Sequence, residues 1–282
     1  MAKLVVENLK YRYPLAKNLA LNNLSFEVKN GEFIGMIGPN HAGKSTLCQA
    51  LVGLVPQFFR GAYGGRVMVD DMEASKVPLS KLASKIGIVF QNPFSQISGV
   101  KLTVYEEVAF SLENNGFSRS EMIDRIDWAL KLLNIEHYQD RNPLSLSGGQ
   151  MQRLAIASII ALKPEIIVLD EPTSQLDPQG SEEVFKAVGN LCTQGLTVII
   201  AEHKMERICK YAQKILFLHQ GHLVTFDTPY QVFSHFNLEG YGINAPVFTN
   251  ACKKLEVKLN NGFYPIKLDE AYRKIGAYYE HR

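Results

Sequence analysis

Residues 33–46 read Phe-Ile-Gly-Met-Ile-Gly-Pro-Asn-His-Ala-Gly-Lys-Ser-Thr, and the rest of the chain is placed by reference to them. Phe33 to Ile37 is a short apolar run, the pattern of a buried strand. Gly38-x-x-x-x-Gly43-Lys44-Ser45 follows, and then Leu47, Leu51 and Leu54 recur at helical spacing. Strand, glycine loop and helix start together form the context of a phosphate-binding loop. A polyphosphate needs backbone N–H groups converging on it, and small residues let the main chain come close. Gly38, Pro39, Asn40, His41, Ala42 and Gly43 supply that main chain, and Lys44, Ser45 and Thr46 open the helix. The helix start adds its positive dipole end, Lys44 a point charge, and the Ser45 hydroxyl a ligand for magnesium.

The chain has 282 residues, 46% of them hydrophobic and 21% charged, which fits an ordinary globular protein with a sizeable core. A net charge of +2 gives no bulk electrostatic reason to expect nucleic acid as a partner. Cys48, Cys192, Cys209 and Cys252 are scattered without a Cys-x-x-Cys pair, a pattern of reduced thiols rather than a disulfide frame or zinc site. The opening Met-Ala-Lys-Leu-Val-Val-Glu lacks the apolar centre of a signal peptide. Leu154–Leu162 is too short to span a bilayer, so any membrane role is expected to be peripheral.

Upstream of the loop, Leu4-Val5-Val6, Tyr11-Arg12-Tyr13 and Leu24 to Val28 suggest antiparallel strands, with Asn30-Gly31 as a hairpin signal. Tyr13, just before Pro14, is placed to stack on a base or to serve as an ordinary sheet aromatic. Downstream, Gly64 to Asp71 reads as a β-ribbon and Lys85 to Phe90 as a short strand ending at Gln91. Residues 92–146 change to a mostly helical insert, with a capping box at Ser118-x-x-Glu121 ahead of an amphipathic helix. Ser147-Gly148-Gly149-Gln150 opens a second helix that Pro164 ends. Ile166 to Leu169 is an uninterrupted apolar strand closed by Asp170-Glu171, the signature of a parallel sheet covered on both faces. Asp177-Pro178 caps a further helix, and Leu196 to Ala201 forms a strand ending in Glu202-His203. A hairpin follows over 214–227, then a tail with two short helices near 246–255 and 268–276.

Four apolar strands thus end in polar residues: the glycine loop, Gln91, Asp170-Glu171 and His203. In open α/β sheets ligands bind at the carboxyl ends of strands, so parallel pairing would gather all four groups around one phosphate chain.

In order and spacing, the phosphate loop, Gln91, Leu146-Ser147-Gly148-Gly149-Gln150, Ile166–Glu171, Ser174–Asp177 and His203 resemble the nucleotide-binding domain of ABC ATPases over about residues 3–235. Gln91-Asn92-Pro93-x-x-Gln96, Glu202 to Glu206 and the tail around Pro246 and Leu268-Asp269-Glu270-Ala271 are similar to the ATPase subunits of energy-coupling factor (ECF) importers. The resemblance implies an α/β, P-loop NTPase fold of the ABC type. Its parts would be a mixed central sheet, an antiparallel β subdomain, a helical insert over about 92–160, and a C-terminal extension over 236–282 available for dimerisation. It also implies ATP and Mg2+ as cofactors. Asp170 would hold magnesium with Ser45 and Gln91, Glu171 would polarise the attacking water, and His203 would contact the γ-phosphate. Ser147, Gly148, Gly149, Gln150 and Asp177 would meet the nucleotide of a second ATPase subunit, identical or homologous. Integral membrane subunits would dock near Gln91 and residues 92–110, with Glu106 and Glu107 in the coupling surface, placing the protein on the cytoplasmic face of the cell membrane.

The leading reading is therefore an ATP-hydrolysing subunit that powers an importer of a vitamin or metal ion. A conventional ABC transporter ATPase is the alternative. A non-transport ABC ATPase acting on nucleic acid or the ribosome lacks support here, since the chain has one phosphate loop and no heptad run. A regulator without turnover would be expected to lack the carboxylate at 171. Family members usually carry glycine where this chain has His41; histidine is one of the less costly non-glycine residues at positive φ, and its imidazole is expected to point outward.

Overall fold

The structure, a computed structural model, describes residues 2–280; the outer ends of the spans 1–235 and 236–282, residues 1 and 281–282, lie outside the described residues. In chain order the elements are β1 (Ala2–Arg12), β2 (Leu21–Lys29), β3 (Phe33–Ile37), α1 (Lys44–Leu51), α2 (Leu54–Gln57), β4 (Ala62–Val69), β5 (Met72–Glu73), α3 (Leu79–Ala83), β6 (Ile86–Val89), α4 (Val104–Asn114), α5 (Arg119–Leu132), α6 (Gly148–Ile160), β7 (Ile166–Asp170), α7 (Pro178–Thr193), β8 (Thr197–Ala201), α8 (Met205–Tyr211), β9 (Lys214–His219), β10 (His222–Asp227), α9 (Pro229–His235), α10 (Val247–Lys254) and α11 (Leu268–Glu280).

Two sheets organise these elements. One is antiparallel, in the order β2-β1-β4-β5; the other is mixed, in the order β10-β9-β3-β8-β7-β6. In the second sheet β9, β3, β8, β7 and β6 run parallel, and β10 closes one edge antiparallel to β9. The Asn30-Gly31 signal misleads here. It joins β2 of one sheet to β3 of the other and makes no hairpin. Burial gives the reason. Every residue of β3 is buried, which requires a central place with cover on both faces, whereas β2 alternates and needs cover on one.

The period-two alternation of the parallel strands divides the core. Phe33, Ile37, Ile167, Leu169, Val198 and Ile200 face a cluster shared with α4–α7 and the C-terminal segment. Ile34, Met36, Ile166, Val168, Ile199 and Ala201 face the opposite cluster, shared with α1 and the antiparallel sheet. The extension after α9 adds Leu238, Ile243, Ala245 and Ile266 to the first of these.

Helix starts follow local chemistry. The capping box at Ser118 and Glu121 forms as read from the sequence. A second one, Thr103 with Glu106, starts α4 inside the insert, where only the general helical character was anticipated. Among the described residues no helix is long and apolar enough to cross a membrane.

Candidate functional site

Register brings the strand ends level. Met36 pairs with Ala201, and Asp170 pairs with Ala201 from the other side. The residues just beyond β3, β7, β8 and β6 therefore emerge on one edge. The cleft there has a volume of about 840 Å³ and is lined by Tyr13, Asn40 to Thr46, Gln91, Glu171 and His203. Four motifs distant in sequence meet as the strand-end argument required.

The phosphate loop is shaped by close approaches. A Cβ on Gly38 would lie 2.5 Å from the Leu218 carbonyl oxygen, and Gly43 has φ of 101° with the Ala20 carbonyl oxygen 2.7 Å from a Cβ position. Gly43 also caps α1 without any side-chain hydrogen bond, leaving the first-turn N–H groups free for an anion. His41 has φ of 62°, so the position does demand the left-handed region; the residue is exposed and borders the cleft. The Lys44 ammonium is buried and donates to the carbonyls of Gly38 at 2.9 Å and Pro39 at 3.1 Å. Burial pulls its pKa down, with Glu171 and Asp170 opposing.

Tyr13 is tied to this loop. Its hydroxyl lies 3.1 Å from Thr46 Oγ1 and donates to Gln49 Oε1 at 3.3 Å, while its ring packs edge-on against Tyr11. The side chain is half-buried at the cleft wall.

Asp170 is 6% exposed, and its Oδ1 is buried without a hydrogen-bond partner among the described residues. Burial pushes its carboxyl pKa up, the Ser45 hydroxyl pulling it back. Glu171 is held from two sides. Gln91 Nε2 donates to its Oε2 at 2.6 Å, and His203 Nε2 lies 2.9 Å from its Oε1. Its backbone has φ of 48°, an uncommon conformation for a glutamate. Strain of this kind gathers at functional sites.

Ser147 to Gln150 and Asp177 do not line this cleft. They sit together elsewhere, since Gly148 faces Gln175 of the Ser174–Asp177 loop. Ser147 and Gln150 form a capping box for α6, and Asp177 Oδ1 accepts from Gly180 N at 2.6 Å to cap α7.

Several side chains that support the site were given no role from sequence. Gln96 Oε1 accepts from Phe90 N at 3.1 Å and its Nε2 donates to Ile88 O at 3.2 Å, pinning the turn that carries Gln91. Glu202, Thr173 and Lys204 form a buried network behind His203. β8 is buried on both faces, so its pattern gave no signal for the burial of Glu202; one residue past Ala201, Glu202 falls on the side of Val198 and Ile200. Glu107, placed on the coupling surface by the sequence reading, is instead 4% exposed and accepts from Ser98 N and Oγ, both at 2.7 Å. Glu106 remains exposed, although its carboxylate is engaged in the α4 capping box.

A glycine loop on a helix N-terminus, an acidic pair after a buried strand and a strand-end histidine define a P-loop nucleotide hydrolase of the ABC type. Residues 21–174 match the ABC transporter family, and the chain belongs to it. A putative ABC transporter ATP-binding protein of Pyrococcus abyssi is 44% identical over 243 residues, 86% of each chain. The energy-coupling factor transporter ATP-binding protein EcfA1 of Lacticaseibacillus paracasei is 43% identical over 86% of this chain and 84% of its own. Among solved structures, cbiO1 of Clostridium perfringens, part of the ABC transporter complex cbiONQ, superposes with a TM-score of 0.73 at 32% identity, covering 90% of this chain and 96% of that one. A dimeric ATP-binding cassette in a post-hydrolysis state with ADP and Pi gives 0.70 at 28% identity, over 80% of this chain and 98% of that one.

Proposed function

We propose that this chain is the ATP-hydrolysing subunit of an ECF-type importer and works as half of a head-to-tail ATPase dimer. The observation that carries the reading is Glu171, clamped between Gln91 and His203 at the mouth of a phosphate loop. The similarity to ECF ATP-binding proteins and to cbiO1 supports the transport role.

In this reading the triphosphate lies on the free N–H groups of α1 with Lys44 against it, and the base stacks on Tyr13. Glu171 orients and polarises the attacking water, and Gln91 and His203 hold the carboxylate in place. Catalysis is positioning plus electrostatic stabilisation of the γ-phosphoryl. The site suits magnesium: Ser45, Asp170 and Gln91 offer oxygen donors, and the unpartnered buried Oδ1 of Asp170 wants a cation. When bound, the ion neutralises charge on the phosphates.

Ser147 to Gln150 and Asp177 would serve the partner's nucleotide. Phe94, Val100 and Leu102, exposed at 61%, 71% and 72%, offer an apolar surface beside Gln91 for a membrane subunit, which would hold the protein at the membrane as a peripheral component. The test is phosphate release from Mg-ATP by protein drawn from membranes. Glu171→Gln should lower it by about 100-fold or more, the span of a general base, with ATP affinity kept. Turnover that survives this change removes Glu171 from its role. Failure to bring down any integral membrane protein removes the transport role.

A further inference from the structure

We propose that Glu202 is a positioning residue for hydrolysis. Its carboxylate sets the His203 imidazole against Glu171 and ties that pair to the Ser174–Asp177 loop. The inference rests on the ATPase reading above.

Glu202 is 3% exposed and is absent from the cleft wall, so its side chain sits behind the site rather than in it. Its Oε2 accepts from the backbone N–H of His203 at 2.7 Å and of Lys204 at 3.1 Å. Those two donors lie where the chain leaves β8 and has not yet entered α8, and Lys204 caps α8 without using its own side chain. The other oxygen accepts from the Thr173 hydroxyl, which is fully buried two residues after Glu171. One carboxylate therefore fixes the backbone of His203 relative to the segment that carries Glu171. A second strand of the network runs onward. Lys204 Nζ donates to Thr173 O at 3.0 Å and to the buried Ser181 Oγ at 2.6 Å, and Ser181 N donates to Asp177 O at 2.9 Å.

A truncated side chain would leave two backbone N–H groups without an acceptor and free His203 to shift. A glutamine would not, because its carbonyl oxygen can still take both N–H groups and the Thr173 hydroxyl can accept from its amide. A displacement of about 1 Å at a reacting centre costs on the order of 100-fold in rate.

The experiment compares the full-length wild type with Glu202→Ala, Glu202→Gln, Thr173→Val, His203→Ala and the double variant Glu202→Ala/His203→Ala. The readouts are kcat and KM for Mg-ATP, melting temperature, and the His203 ring signals in the NMR spectrum. Glu202→Ala should lower kcat by roughly 100-fold with KM within about threefold, and Glu202→Gln should recover most of the loss. The double variant should match His203→Ala, since Glu202 acts through that histidine. The His203 signals should move in Glu202→Ala and in Thr173→Val, and stay in Glu202→Gln. If Glu202→Ala fails to fold, Thr173→Val carries the test alone with the same two readouts. Unmoved His203 signals, full additivity with His203→Ala, or a kcat that follows melting temperature in every variant would overturn the proposal. A wild type without phosphate release defeats the ATPase reading instead, and the ring signals still decide the positioning claim.

Discussion

Glu107 is the residue whose removal best measures how the segment after Gln91 is held. Its carboxylate receives the Ser98 N–H and hydroxyl, both at 2.7 Å, and Ser98 Oγ in turn accepts from Val100 N at 3.3 Å. The acceptor is buried at the start of α4, so it pins the stretch from Phe94 to Leu102, with its exposed Phe94, Val100 and Leu102, to a rigid element. Hydrogen bonds to a charged group contribute about 1.5–3 kcal/mol each. Ser98 is half-buried, so water recovers part of the loss in Glu107→Ala, and a net cost of about 2 kcal/mol follows. For a chain of 282 residues that corresponds to roughly 3 °C in melting temperature. Glu107→Gln keeps one acceptor and should cost about half as much. The sharper assay is hydrogen exchange. Amides from Ser98 to Leu102 should exchange faster in Glu107→Ala while those of β7 and β8 do not change. Basal ATP turnover should persist and transport should fall. Unaltered exchange over 98–102 would show that the carboxylate does not hold this segment, and the reasoning would fail.

Three further outcomes follow from the site. Burial raises the Asp170 pKa, so protons compete with magnesium there at higher pH than at an ordinary aspartate. The magnesium-dependent rise in melting temperature should shrink as pH falls through that raised value, and Asp170→Asn should abolish it at every pH. In the metal-free protein the same shift has a definite sign: folding is progressively penalised as pH rises from the ordinary aspartate value through the raised one, because the unfolded chain ionises first. Thermal melting against pH without metal measures it. His41 occupies φ of 62°, so His41→Gly should leave ATP affinity equal or better; weaker binding in a nucleotide titration would show that the imidazole contributes directly. Gly148→Ala should stabilise α6 by up to about 1 kcal/mol in thermal melting while depressing ATP turnover, because the added methyl meets only ordinary contacts with Gln175 within this chain.

What could be read from the residues alone was whatever depends on near neighbours. The phosphate loop is contiguous, and its strand, glycines and helix start lie within residues 33–46. Asp170-Glu171 and His203 were legible because uninterrupted apolar strands announce burial and polar residues after them announce an edge. Glu107 was misplaced for the opposite reason. In the sequence it is one of two glutamates in a first helical turn, and only the fold of 98–100 back onto α4 shows that one of them is inside. The Asn30-Gly31 turn failed similarly: local chemistry fixes a bend, but the sheet that each flanking strand joins depends on burial of β3 by distant helices. Glu202 stood between. Its place at the end of an apolar strand was legible, whereas its burial and its partner Thr173, which comes from another strand end, could not be inferred.

The two glycines after Ser147 bear on the proposal that one copy of this chain is half a site. Glycine in a first helical turn costs about 1 kcal/mol relative to alanine, so a fold that keeps it has a reason outside helix stability. At Gly149 the reason is partly internal, since a Cβ would lie 3.1 Å from Leu176 Cδ2. Among the described residues outside its own helix turn, a Cβ at Gly148 would meet nothing closer than 3.6 Å, and the helix already has its capping box from Ser147 and Gln150. In the proposed dimer the requirement at Gly148 comes from something outside this copy that approaches the backbone. The nucleotide of a second subunit is such a group: it is anionic, it suits a helix N-terminus, and the Ser174–Asp177 loop packs beside the same surface. This is why Gly148→Ala separates the two explanations. An internal role predicts that stability and turnover fall together, whereas a role toward the partner predicts that turnover falls while stability rises.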